Sequence, residues 1–235
     1  MDVLATIPHD PEAFTQGLEL VDGVLYEGTG LEGKSTMRAV DPATGVVEHV
    51  TPLPADLFGE GITVADDTIW QITWQDGIAI RRDRATFAER GRVQYDGEGW
   101  GLCHDPASNR LIMSDGTDRL TFRDPATFTE EGDVRVTDDR GEPVTKLNEL
   151  ECVHDQDGRV LVYANVWQTD EIVRIDPASG HVNATIDLSG LLPATDRAGA
   201  DVLNGIAAVP GTNEFLVTGK LWPSMFRVRF VTSSP

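Results

Sequence analysis

"EGITVADDTIWQITWQDGIAIRRDRATFAERGRVQY", residues 60–95, carries the reading that decides the fold. It holds four short apolar or β-branched runs, "GITV", "IWQIT", "AIRRD" and "RGRVQY". Asp, Gly and Thr clusters separate them. Runs of this length between turn residues read as antiparallel strands, and no helical period competes. The same order recurs along the chain. Segments opening with a related tripeptide stand at "QGLEL" (Gln16), "EGITV" (Glu60), "WGLCH" (Trp100), "NELEC" (Asn148) and "NGIAA" (Asn204). Each leads to a second strand: "LYEGTG", "IWQITW", "LIMSDG", "VYANVW" and "FLVTGK". Third strands follow at "MRAVD", "AIRRD", "LTFRD", "IVRID" and "MFRVRF". Asp-led turns ("DPATG", "DRATF", "DPATF", "DPASG") connect the third strand of the first four units to a fourth.

The fifth unit lacks its own fourth strand. The N-terminus supplies an orphan, "DVLATIP", which resembles "VNATIDL" of the fourth unit. The spacing between openers, 40 to 56 residues, is that of a four-stranded propeller blade. The expected fold is therefore all-β: one five-bladed β-propeller over residues 1–235, closed by its N-terminal strand. Closure hides the sheet edges that would otherwise promote aggregation.

In a blade the first strand lines the channel and the second returns beside it. The start of one and the end of the other share a mouth. Gln16, Glu60, Trp100, Asn148 and Asn204 then form an inner ring, and Gly30, Trp74, Gly116, Trp167 and Lys220 a wider one. A purely structural repeat would keep these positions alike. Here they hold one acid, one base, three tryptophans and several carboxamides, which converge as a candidate site.

Composition excludes other functions. The net charge is −20, with three lysines among 19 basic residues. Such a surface repels phosphate backbones and anionic lipid, so neither nucleic acid nor membrane is an expected partner. No apolar run reaches the length of a membrane helix. The N-terminus carries no basic region followed by an apolar core, so no signal peptide is read in it. Nothing in the sequence calls for an oligomer, and a monomer is expected. Cys103 and Cys152 have no metal-ligand spacing and are read as buried thiols rather than a disulfide. His9-Asp10 and His104-Asp105 are read as turn and blade contacts rather than catalytic dyads.

At these residues the chain resembles the plant-type glutaminyl cyclases, a family with bacterial members. The resemblance rests on "PHDPEAFTQGLEL" (8–20), "LYEGTG" (25–30), "FGEGIT" (58–63), "QITWQ" (71–75) and "GWGLCHD" (99–105). It continues through "SDGTDRLTFRDP" (114–125), "LNELE" (147–151), "ANVWQTDEIVRIDP" (164–177) and "TGKLWP" (218–223). It implies a five-bladed propeller that converts the N-terminal glutamine of peptides or proteins to pyroglutamate, releasing ammonia. It maps the catalytic glutamate to Glu60, an aromatic pocket to Phe14, Trp74, Trp100 and Trp167, and polar contacts to Gln16, Asn148 and Lys220. It implies no cofactor for catalysis, a structural calcium in the channel of some members, and a secreted or periplasmic location.

Glu60 is the expected proton shuttle, with flanking Gly59 and Gly61 opening the backbone to substrate. The tryptophans would exclude water and raise the glutamate's pKa. Asn148 would donate to the γ-carbonyl oxygen. Lys220 either stabilises the developing oxyanion or pairs with Glu60. The competing readings are a propeller that only binds peptide or sugar, and a metal-dependent lactonase. The lactonase would need several channel carboxylates beyond Glu60 and the adjacent Glu149.

Overall fold

The computed structural model describes residues 1–155 and 157–230. It contains five four-stranded antiparallel sheets. The first blade comprises β2 (Thr15–Val21), β3 (Val24–Thr29), β4 (Thr36–Val40) and β5 (Val47–Pro52), and the second β6 (Gly59–Ala65), β7 (Thr68–Thr73), β8 (Ile78–Asp83) and β9 (Glu89–Gln94). The third comprises β10 (Leu102–Asp105), β11 (Arg110–Ser114), β12 (Arg119–Arg123) and β13 (Glu130–Arg135), and the fourth β14 (Leu147–His154), β15 (Val160–Val166), β16 (Glu171–Asp176) and β17 (His181–Asp187). The fifth has the order β1-β20-β19-β18, with β18 (Leu203–Ala208), β19 (Glu214–Gly219), β20 (Ser224–Arg229) and the N-terminal strand β1 (Asp2–Pro8). The expected closure is therefore present: Thr6 pairs with Phe226 and Ile7 with Met225.

The Asp-led turns work as their residues dictate. Asp41 Oδ1 accepts the amides of Ala43 (2.8 Å) and Thr44 (3.0 Å), and Asp124 Oδ1 those of Ala126 (3.0 Å) and Thr127 (2.7 Å). A short side chain that caps its own turn fixes the β4–β5 and β12–β13 links locally.

The core is a set of wedges between neighbouring blades. Trp70, Ile72, Leu102, Leu111 and Phe128 fill the gap between the second and third blades. Leu120, Leu147, Leu150, Val162 and Val173 fill that between the third and fourth. Tyr163, Ile172, Leu203, Ile206, Phe215 and Trp222 fill that between the fourth and fifth. Two tryptophans belong to these wedges, with their N–H groups satisfied by backbone: Trp70 Nε1 donates to Pro125 O (2.9 Å) and Trp222 Nε1 to Asp201 O (2.8 Å). The other three are left for the mouth of the channel.

Inner strands are tied to one another by a repeated device. In the first and fourth blades the residue three places after the opener reaches the following blade. Glu19 Oε2 accepts Val64 N–H (2.7 Å), and Glu151 Oε1 accepts Ala208 N–H (2.8 Å). Between the third and fourth blades the same place is occupied by Cys103, which is disulfide-bonded to Cys152. The expectation of two free thiols is thus overturned. Their positions differ by one residue relative to the openers, so their side chains have opposite parity and face each other across the gap, with Cα atoms 5.5 Å apart. The bond spans 49 residues. Replacing both cysteines by alanine should cost about 2–4 kcal/mol, because the unfolded chain gains the closed loop's entropy. A lower urea midpoint, with no free thiol in denatured wild-type protein, checks this. An unchanged midpoint would remove the bond from the stability account.

Candidate active site

Four of the five inner strands open with a register shift: at Thr15/Gly17, Gly59/Ile62, Leu147/Leu150 and Leu203/Ile206. These bulges fall on the opener residues themselves. A bulge breaks the period-two alternation and turns a side chain that would otherwise face a neighbouring blade. The sequence repeat is therefore a repeat of bulges. They aim Gln16, Glu60, Asn148 and Asn204 at one mouth of the channel.

There a cavity of about 340 Å³ brings together the expected catalytic and substrate-binding residues Phe14, Gln16, Glu60, Trp74, Trp100, Asn148, Trp167 and Lys220, while the ring positions Gly30, Gly116 and Asn204 do not line it. A larger opening of about 1220 Å³ lies at the opposite mouth, among the far ends of the inner strands. Two of its acids, Glu19 and Glu151, already bind backbone amides. It has none of the tryptophans.

Glu60 is 5 % exposed. Its Oε1 accepts Gln16 Nε2–H at 2.9 Å. Gln16 Oε1 in turn faces Asn204 Nδ2 (3.5 Å), which also donates to Thr15 O (2.9 Å). This relay sets the Gln16 amide with its nitrogen toward Glu60, so Gln16 acts through Glu60. No protein group donates to Glu60 Oε2 among the described residues, which leaves it for substrate. Burial pushes the Glu60 carboxyl well above the usual range; Lys220 pulls it back and Glu98 adds to the rise.

Lys220 is also 5 % exposed. Burial lowers its pKa, opposed by Glu60 and Asp201. It makes no ion pair within 4 Å among the described residues. Its Nζ instead lies 4.8 Å from the centroid of the Phe14 ring, a cation–π contact. The Asn148 side chain makes no hydrogen bond to the described residues, and its Oδ1 is a buried acceptor without a partner. An unsatisfied buried amide at a pocket wall is costly unless a ligand completes it.

The wall is aromatic. Phe14 meets Phe58 edge-on at 6.2 Å, Phe58 meets Trp74 at 5.5 Å, and Trp100 meets Trp167 at 5.4 Å. Trp74 stands at the rim, 37 % exposed. Gly116, at φ +80°, is required by this wall: a Cβ there would lie 2.6 Å from the Trp100 ring. Gly59 and Gly61 do not serve the expected role. A Cβ at Gly61 would strike Leu102 N and Trp100 O of the next blade, and one at Gly59 would strike Thr29 O. They permit close blade packing rather than substrate approach. Phe58, Leu31 and Glu98 were missed. Phe58 sits in a quoted motif, but no ring position marked it out.

The histidine pairs are structural. His9 Nδ1 bonds Trp222 O (2.7 Å) and its Nε2 bonds Glu27 (2.9 Å), while Asp105 bonds His154 Nε2 (3.0 Å). A calcium of the kind some glutaminyl cyclases carry needs several inward-facing oxygens. Both oxygens of Glu149 are engaged, by Leu18 N–H (3.2 Å) and Ile206 N–H (2.8 Å), and Glu19 and Glu151 each accept an amide. Among the described residues no three His, Cys, Asp or Glu side chains converge to hold a metal ion. The described side chains therefore form no cage of three carboxylates of the kind the lactonase reading needs.

Residues 1–230 match the family model described as glutamine cyclotransferase. The chain is 38 % identical over 240 residues to the glutaminyl-peptide cyclotransferase of Arabidopsis thaliana, covering all of this chain and 72 % of that one. The crystal structure of Myxococcus xanthus glutaminyl cyclase superposes with a TM-score of 0.88 at 34 % identity, over 99 % of this chain and 97 % of that one. Hydrazine synthase of Kuenenia stuttgartiensis, at 12 % identity and a TM-score of 0.54 over 90 % of this chain and 56 % of that one, shares the fold alone. With five blades in the expected order and one acid under an aromatic wall, the full-length match decides the assignment: the chain belongs to the glutamine cyclotransferase family.

Proposed function

We propose that this pocket cyclises the N-terminal glutamine of peptides and proteins to pyroglutamate, with Glu60 carrying the proton. One observation supports this above the rest. A single buried carboxyl, held by one oxygen and raised by burial, faces an aromatic-walled cavity of about 340 Å³. The α-amine attacks the γ-carboxamide carbon of the same residue. The N–C bond forms, the proton leaves the amine for Glu60 Oε2, and the same proton returns to the amide nitrogen as its C–N bond breaks. Ammonia departs and the carboxylate is restored. An amine has a pKa near ~8, so raising the Glu60 carboxyl narrows the gap between the two groups and eases the proton exchange.

The aromatic wall holds the folded rotamer that places amine and carboxamide in contact, which is the entropic part of the task. Lys220 sits where a cation stabilises negative charge developing on the γ-oxygen. Asn148 supplies donor and acceptor groups that no other residue uses, suited to the substrate's amide. The Cys103–Cys152 bond supports an oxidising, secreted or periplasmic location.

Incubation with a Gln-Xaa dipeptide tests the reading. The expected result is ammonia, together with a product lighter by one ammonia. Peptide binding without ammonia would leave a propeller that only recognises peptides.

A further inference from the structure

Glu98 lies in the link between β9 and β10, outside both rings and outside the resemblance motifs. Its carboxylate nonetheless joins two blades at the pocket. Oε2 accepts Trp74 Nε1–H at 2.8 Å and Trp100 Nε1–H at 3.0 Å, and Oε1 accepts Gln75 Nε2–H at 3.0 Å. Trp74 ends the second strand of the second blade, and Trp100 opens the third blade. Without this contact the wall is two separate groups. Phe14, Phe58 and Trp74 form one chain of edge contacts, and Trp100 with Trp167 form the other. Glu98 is the only group that bonds both among the described residues.

We propose that Glu98 is a positioning residue for the cyclisation pocket: one carboxylate oxygen clamps the indoles of Trp74 and Trp100 and makes the two aromatic groups a single wall. The argument is one of freedom and solvation. A rim indole more than a third exposed has water as an alternative partner and several rotamers open to it. A charged acceptor shared by two indoles removes both alternatives, because charge-assisted hydrogen bonds are about twice as strong as neutral ones. The link is itself anchored: Gly99 N–H donates to Trp74 O (2.9 Å), and the Tyr95 hydroxyl donates to Thr73 O. Although burial opposes ionisation, the bonds from Trp100, Gln75 and Trp74 hold the Glu98 carboxyl below its usual range, so it stays an anion at working pH. The acceptor's charge also bears on Glu60. The charged groups acting on Glu60 are Lys220, which pulls its pKa down, and Glu98, which pushes it up; the nearby Tyr95 phenol is raised further by burial and stays neutral.

The proposal rests on the cyclisation reading, and its test separates the two. Glu98→Leu removes the acceptors. Glu98→Gln keeps a carbonyl oxygen whose two lone pairs serve both indoles, but it removes the charge. Leu should raise KM for a Gln-Xaa peptide roughly tenfold, the worth of one charge-assisted hydrogen bond, with kcat falling less. It should also shift indole emission to the red, as Trp74 and Trp100 gain water. Gln should keep KM near the wild-type value and move the acid limb of kcat/KM to lower pH. Equal KM values for Leu and wild type, or a Gln variant as impaired as Leu, would overturn the clamp. A Leu variant whose activity loss matched its loss of folded protein would do the same. If wild type releases no ammonia, the cyclisation reading fails, while emission and acrylamide quenching of the three proteins still decide the clamp.

Discussion

Glu60→Gln should leave the propeller folded and lower kcat for cyclisation by about 10²–10⁴, the usual worth of a positioned proton carrier. The carboxamide keeps the shape and can still accept from Gln16 through its oxygen. It cannot take the amine proton, and it cannot return one to the leaving nitrogen. Binding should suffer less than turnover, since the aromatic wall and Asn148 are untouched. The sign of the stability change also follows. The folded-state pKa of Glu60 is raised. Its stability contribution is full below the unfolded pKa and is lost as pH rises through the folded value. A group that never ionises escapes that loss, so Glu60→Gln should match or exceed wild-type melting temperature at mildly alkaline pH. Ammonia release near the wild-type rate would dismiss Glu60 as the shuttle. A variant that lost activity by unfolding would show it in the melting curve.

Much of this fold is legible because each blade is written in the same code. The strand runs, the Asp-led turns and the orphan "DVLATIP" each say the same thing, and the paired strands agree with all of them. The site was legible for a different reason. Openers such as Glu60 and Asn148 broke a pattern that packing alone would have kept uniform, and the bulges beneath them explain why breaking it costs the fold little. Contacts between blades were harder to read. Cys103 and Cys152 are offset by one position in their strands, and only the radial packing of sheets turns that offset into a face-to-face pair. The glycines around Glu60 misled because a missing side chain next to a catalytic group looks like access. In the structure they make room for backbone of the neighbouring blades. Glu98 was invisible because it belongs to a link rather than a strand. Its importance comes from joining the indole of Trp100, its near neighbour in the chain, to that of Trp74, which is distant in the chain but adjacent in space.

Lys220→Met should lower kcat by about 10²–10³, the cost of removing one preorganised group from a developing oxyanion. The residue is buried, has no ion-pair partner within 4 Å among the described residues, and rests on the Phe14 ring. A buried cation without a close anion is unfavourable in the free protein. That cost is recovered only when negative charge appears nearby, as it does on the γ-oxygen during ring closure. Methionine keeps the apolar stem and its packing on Phe14, so folding should be retained or improved. The pH profile separates the two roles left open by the sequence. With Glu60 acting as a carboxylate and the amine attacking as the free base, kcat/KM falls in acid as Glu60 and the amine, with a pKa near ~8, take up protons. Lys220 pulls the Glu60 pKa down. Its removal should therefore move the acid limb to higher pH, opposite in sign to the shift expected for Glu98→Gln. If Lys220 served only to hold Glu60 ionised, Lys220→Met would show that shift while regaining wild-type kcat on the alkaline side of it. A kcat that stays low at every pH assigns Lys220 to the oxyanion.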